Sequence, residues 1–166
     1  DQVEKYIPPK KGSSHIWRVI KEIFTFVPKG KGTDIAAALE FLGKIAKKRS
    51  FVFILSDFLD KGYEKSLRTV RQKHEPIGVM IQDPGGTALP AKGIVTLADP
   101  ETGKRLVVDA FSKQARSRFA ALGQTRKKFT RERFLQAKSD VIELSTKDSV
   151  SDTLLAYFRL RERRIR

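Results

Sequence analysis

The sequence has no cysteine, one methionine, one tryptophan and two histidines. Without cysteine there is no disulfide framework, no thiolate metal site and no cysteine nucleophile. The absence fits a reducing compartment, and a cytoplasmic location is expected. Long apolar runs are missing too. Stretches such as residues 51–55 fall far short of the roughly 20 residues that span a bilayer, so no transmembrane segment is expected. Residues 1–11 are polar and hold no apolar core of a signal peptide. The chain does not open on methionine, so it is expected to be a piece of something longer. Acidic residues are scarce: 19 Asp and Glu stand against 34 Lys and Arg, a formal charge of +15. That balance favours acidic partners such as nucleic acid, an anionic membrane or an acidic protein. The excess gathers in residues 113–138, where Arg126, Lys127, Lys128, Arg131 and Arg133 form the predicted basic surface, and in an arginine-rich C-terminus. A solvated helix face with a frayed tail would read the same way.

What is present is ordinary core material. Apolar residues make up 40% of the 166, enough for one domain. Residues 3–7 read as the end of a strand, stopped by Pro8 and Pro9. Ser13 or Ser14 should cap a helix reaching about Val27, because Ile16, Trp17, Ile20, Ile23, Phe24 and Val27 share one face at helical spacing. After a basic loop, Thr33 or Asp34 should cap a second helix built on Ile35, Leu39 and Leu42. Residues 51–55 are apolar at every position, the pattern of a strand covered on both faces in the middle of a parallel sheet. Tyr63, Leu67 and Val70 mark a weaker, mostly exposed helix, and residues 76–82 the next strand. Residues 94–98 and 105–108 flank a turn and read as a hairpin appendage. A basic helix over 112–137 should pack through Phe111, Ala115, Phe119 and Leu122, with Gly123 as a candidate interruption. A short strand at 141–144 and a final helix from Ser149, facing the core through Val150, Leu154, Tyr157 and Phe158, complete the α/β alternation.

In open parallel sheets, ligands bind beyond the carboxyl ends of the strands. Asp57 follows the strand at 51–55, Asp83 follows the next, and Thr33 and Asp34 precede a helix in a glycine-containing loop. Carboxylate and hydroxyl oxygens of this kind, Ser56 included, suit Mg²⁺ or Mn²⁺ rather than zinc. Helix and turn capping by Asp34, Thr33 and Asp57 is the alternative reading of the same spacing. His15 and His74 read as surface or capping residues, with His74 at the opposite end of the sheet from Asp57, and no Ser-His-Asp arrangement is visible. The loop around Gly30, Gly32 and Thr33 lacks the spacing of a phosphate-binding loop.

The segments GTDIAAALEFL and FVFILSDF resemble the second and third loops of the metal-ion-dependent adhesion site in von Willebrand factor A-type domains. RSFVFILSDF, KHEPIGVMIQDP, ALPAKGIVTLADPETGK and YFRLRERR further resemble the bacterial family called domain of unknown function 58, over nearly the whole chain. The resemblance implies a three-layer, Rossmann-like parallel sheet flanked by helices, in one domain over residues 1–166. It also implies Thr33 and Asp57 as metal ligands, with Ser56 and Asp34 as neighbours. The family's Asp-x-Ser-x-Ser loop does not occur in this sequence. The domain is therefore expected to be incomplete at its N-terminus, lacking the first strands. Mg²⁺ or Mn²⁺ is expected in the full-length protein and little or no metal on this segment alone. An uncovered edge at residues 51–55 is expected to pair with another chain unless residues 3–7 cover it.

The resemblance implies a non-enzymatic protein-interaction module acting with a MoxR-type AAA+ ATPase on a client protein. The alternative is nucleic-acid binding through the basic helix, although no recognition motif supports it. A metal-dependent hydrolase using Asp57 and Asp83 is a third reading that lacks a nucleophile, a general base and a second metal set.

Overall fold

The computed structural model describes residues 2–30, 32–82, 88–91, 93–98 and 103–165. The elements run α1 (Ser13–Thr25), α2 (Ile35–Ile45), β1 (Phe51–Ser56), α3 (Glu64–Lys73), β2 (Glu75–Gln82), β3 (Ile94–Ala98), β4 (Arg105–Asp109), α4 (Lys113–Gln136), β5 (Asp140–Ser145) and α5 (Val150–Ile165). Three strands form a parallel sheet in the order β1-β2-β5. Phe53 aligns with Ile77, and Ile77 in turn with Asp140. β3 and β4 form a separate antiparallel hairpin, as expected, with Val95 opposite Val108.

β2, not β1, is the central strand. Its residues Pro76–Ile81 are all buried except the last, because β1 and β5 flank it and helices cover both faces. On one face Ile35, Leu39, Phe58, Tyr63, Leu67, Val70, Met80 and Phe134 form the main core. On the other, Ile77, Val79, Ile142 and Leu144 pack against Leu154 and Tyr157 of α5. Gly78 sits where only glycine fits. A Cβ there would lie 2.7 Å from Cζ of Phe134, whose ring rests on the strand.

Several expectations are corrected. Residues 3–7 form no strand; Glu4 instead accepts the backbone N–H groups of Lys29 and Gly30, both at 2.8 Å. The α1 N-cap is Gly12 rather than a serine, and the helix ends at Thr25. α3 is charged along its length, yet Tyr63, Leu67 and Val70 are fully enclosed. α4 runs unbroken through Gly123 and packs through Thr130 and Phe134, whereas Phe111 and Leu122 stay exposed. The cause is reach: only the C-terminal part of this 24-residue helix lies over the sheet. On α5, Val150 is exposed, while Leu154 and Tyr157 make the predicted contacts.

Candidate functional site

The sheet directs two loops to the same place. β1 ends at Ser56, and the chain turns at once. Ser56 Oγ accepts the N–H of Phe58 at 3.0 Å, and Asp57 Oδ1 accepts that of Leu59 at 3.2 Å. Both are local side-chain turns of the kind short polar residues make. Phe58 then adopts φ 56°, a left-handed conformation unusual for a bulky residue. It is held there by burial: its ring meets Phe134 edge-on at 5.1 Å and Tyr63 at 6.1 Å. The packing of Phe58 thereby fixes the turn that presents Asp57 to solvent.

The other loop is the one before α2. Asp34 caps that helix, Oδ1 accepting from Ala37 N at 2.7 Å. A second carboxylate crosses over to the same helix end. Asp60, in the loop after β1, accepts the N–H of Ile35 through Oδ2 at 2.7 Å. Its backbone carbonyl receives Arg133 Nη1 at 3.2 Å. Asp60 therefore ties the Thr33–Asp34 loop to the Ser56–Asp57 loop. Sequence reasoning missed it, because nothing in the spacing separates Asp60 from the neighbouring Asp57; a negative charge one loop away from a helix N-terminus was the available signal.

Between α2 and β1 runs a groove of about 330 Å³. Ile35, Ala38, Leu39 and Leu42 form one wall, residues 52–55 the other, and Thr33, Asp34 and Ser56 its polar end. Thr33, Asp34 and Ser56 thus share one cleft, with Asp57 on the adjoining turn. Asp83 lies outside the described residues. Among the described residues, no three His, Asp or Glu side chains converge as a metal-ligand set.

The opposite end of the sheet is held by charge. Glu75 meets Arg49, Arg71 (3.5 Å) and Arg161 (2.6 Å). Arg161 also approaches Asp140, at 3.6 Å, and donates to the Tyr157 hydroxyl at 2.9 Å. The Arg49 hydrogen bond, then that from Arg161 and the charge of Arg71, hold the Glu75 carboxyl below its ordinary range. His74 is at this end, as expected, but it is buried rather than at the surface, and neither ring nitrogen has a hydrogen-bond partner among the described residues.

The predicted basic surface is divided. Arg133 faces inward, paired with Glu64 at 2.8 Å and stacked over the Tyr63 ring at 5.6 Å. Arg131 is bonded to Glu143, and Lys128 lies 3.9 Å from Glu132. Arg126 is exposed and Lys127 half-buried. The free positive face is therefore smaller than the sequence suggests. No helix among the described residues is long and apolar enough to cross a membrane.

Comparison with known proteins gives relatives that are themselves uncharacterised. An uncharacterised protein of Mycobacterium tuberculosis (strain ATCC 25618 / H37Rv) is 32% identical over 109 residues, covering 64% of this chain and 33% of the relative. A protein of Mycobacterium bovis shows the same identity and coverage. One from Mycobacterium avium is 29% identical over 129 residues, covering 72% of this chain and 76% of the relative. The chain spans about a third of the length of the first two relatives. No solved structure gives a significant match. The family model described as "Protein of unknown function DUF58" matches residues 1–129, well over half of the chain, and the chain belongs to that family.

Proposed function

We propose that this chain is a non-enzymatic protein-interaction module whose contact surface is the C-terminal end of β1. One observation carries the reading: the Asp60–Ile35 hydrogen bond joins the Thr33–Asp34 loop to the Ser56–Asp57 turn at the mouth of an apolar groove. Oxygen donors at the rim and apolar walls beside them suit a protein ligand that brings both an acidic or polar group and an apolar segment.

The resemblance to von Willebrand factor A-type domains extends the proposal. In the full-length protein, Thr33 and Asp57 would contribute to an Mg²⁺ or Mn²⁺ site, and Ser56 and Asp34 would flank it. The described residues do not form a ligand set by themselves. Further ligands would come from an Asp-x-Ser-x-Ser loop outside this sequence and from a carboxylate of the partner. The partner would be a MoxR-type AAA+ ATPase, acting with this module on a client protein. The role of this chain's own residues is presentation: Phe58 and Asp60 fix the two loops so that little ordering entropy is lost on binding.

The test is recovery of the full-length protein with its ATPase in a pull-down, comparing the native protein with Asp57→Ala. Loss of recovery in the variant supports a metal-completed contact. Equal recovery in both overturns it.

A further inference from the structure

α3 and the end of α4 form the sides of a second groove, of about 340 Å³. Arg68, Arg71 and Gln72 stand on one face of α3, at i, i+3 and i+4. Gln136 and Lys138 line the groove from the last turn of α4 and the residues that follow it. Three cations and two amides therefore share one groove, and among the described residues no carboxylate lines it. Carboxylates of the neighbouring elements are engaged elsewhere. Glu64 pairs with Arg133 at 2.8 Å and Glu132 with Lys128 at 3.9 Å. Glu75 is held by Arg49 and Arg161 more closely than by Arg71. Among the described residues, neither Arg68 nor Lys138 has an ion-pair partner.

The backbone at Lys138 is an independent observation. Its φ is 53°, in the left-handed region that ends many helices and that glycine adopts at least cost. A lysine there is strained, and its side chain lines the groove. The turn is held by hydrogen bonds. Lys138 N–H donates to the Leu135 carbonyl and Ser139 N–H to that of Phe134, both at 2.9 Å, and Arg71 Nε donates to the Lys138 carbonyl at 2.8 Å. These bonds take up carbonyl oxygens at the helix end that would otherwise repel an anion. We propose that the groove binds the phosphoryl groups of a small phosphate ester or polyphosphate. Arg68, Arg71 and Lys138 supply the charge, and Gln72 and Gln136 supply further amide donors. The proposal goes beyond the interaction-module reading and does not rest on it. Guanidinium groups match phosphate oxygens two at a time, and lysine adds a point charge. Three cations exceed what one phosphate neutralises, so a diphosphate binds more tightly than a single phosphate. The volume lies at the lower end of the range for small-molecule sites. Arg131 and Arg133, further back along α4, are paired with Glu143 and Glu64, which favours a compact ligand over a strand that tracks along the helix.

Isothermal titration calorimetry of the chain with pyrophosphate tests this. Physiological salt is used, because it screens the general attraction of a chain of charge +15 for anions. Saturable one-to-one binding is expected, tighter than that of inorganic phosphate. The decisive variant is Lys138→Gly, which keeps the fold because glycine suits that backbone. It should remain as resistant to urea as the native chain, yet bind pyrophosphate about tenfold more weakly, the loss of one charge-assisted hydrogen bond. Arg68→Gln should weaken binding by a similar factor. Arg18→Gln, the same change of charge at an exposed position of α1, should alter it by less than about twofold. A nucleoside diphosphate titrated alongside separates the sources of the phosphate. Binding tighter than that of pyrophosphate assigns an ester whose organic part reaches the amides; equal or weaker binding assigns an unsubstituted polyphosphate. No saturable binding of either ligand overturns the proposal. So does Lys138→Gly that binds as tightly as the native chain. So does an equal loss in Arg68→Gln and Arg18→Gln, which marks bulk charge attraction.

Discussion

β1 and β2 lie side by side, are both largely apolar, and meet different fates. In β2, Pro76, Ile77, Gly78, Val79 and Met80 are all enclosed. In β1, exposure alternates residue by residue. The sequence of a strand sets how much it could bury. Its neighbours set how much it does bury, and among the described residues β1 has only one neighbouring strand. α1 repeats the point among the helices: Ile16, Trp17, Ile23 and Phe24 form a stripe left exposed among the described residues, with Phe24 83% exposed. The half of the molecule around Phe134 is closed, and the half around β1 and α1 is open.

That contrast can be broken by substitution. The largest effect is expected at Phe134, which is fully buried against Phe58, Tyr63 and Gly78. Phe134→Ala should cost about 3–5 kcal/mol in urea unfolding, against about 1 kcal/mol for Phe53→Ala on the open edge. Comparable losses at the two sites would erase the distinction. Gly78→Ala comes next: its Cβ would push into the Phe134 ring, and a destabilisation of about 1–3 kcal/mol is expected. A neutral result would mean that the ring moves freely and the closed half is looser than its packing implies.

A smaller effect, with a pH signature, belongs to Glu75. Its folded carboxyl is held below the ordinary range by Arg49 first, then by Arg161 and Arg71. The stabilisation is therefore present above the unfolded-state value and is lost as pH falls through the lowered folded one. Glu75→Gln should be less stable than the native chain at neutral pH, and the gap should close in acid. A gap that is constant with pH would contradict the charge network. The smallest effect is expected from Arg131→Ala, whose ion pair with Glu143 is largely solvent-exposed and should contribute about 0–1 kcal/mol.

Much of this organisation was legible in the residues. The α/β order, the hairpin and the bounds of most elements follow from periodicity and breakers, because those signals are local. What failed depended on long-range geometry. Residues 3–7 alternate like a strand, but a strand needs a partner edge, and these residues pack instead through contacts such as Tyr6 on Phe41. The stripe on α4 gives a face and not a position along the helix, so it points to Phe119 and Leu122 rather than to Thr130 and Phe134. Arg133 counted as surface charge because its partners, Glu64 and Asp60, are distant in the chain. At the candidate site, Asp34 as a cap and Asp57 at the strand end could be read from position. Asp60 could not, since its role exists only once the two loops are adjacent.

The open edge is the claim on which the comparison turns, and amide hydrogen exchange in dilute solution tests it most directly. The account predicts alternation within β1: slow exchange at Val52 and Ile54, whose N–H groups face β2, and fast exchange at Phe53 and Leu55, while Val79 in β2 exchanges slowly. Uniformly slow exchange along β1 would contradict it, because the outer edge would then be covered.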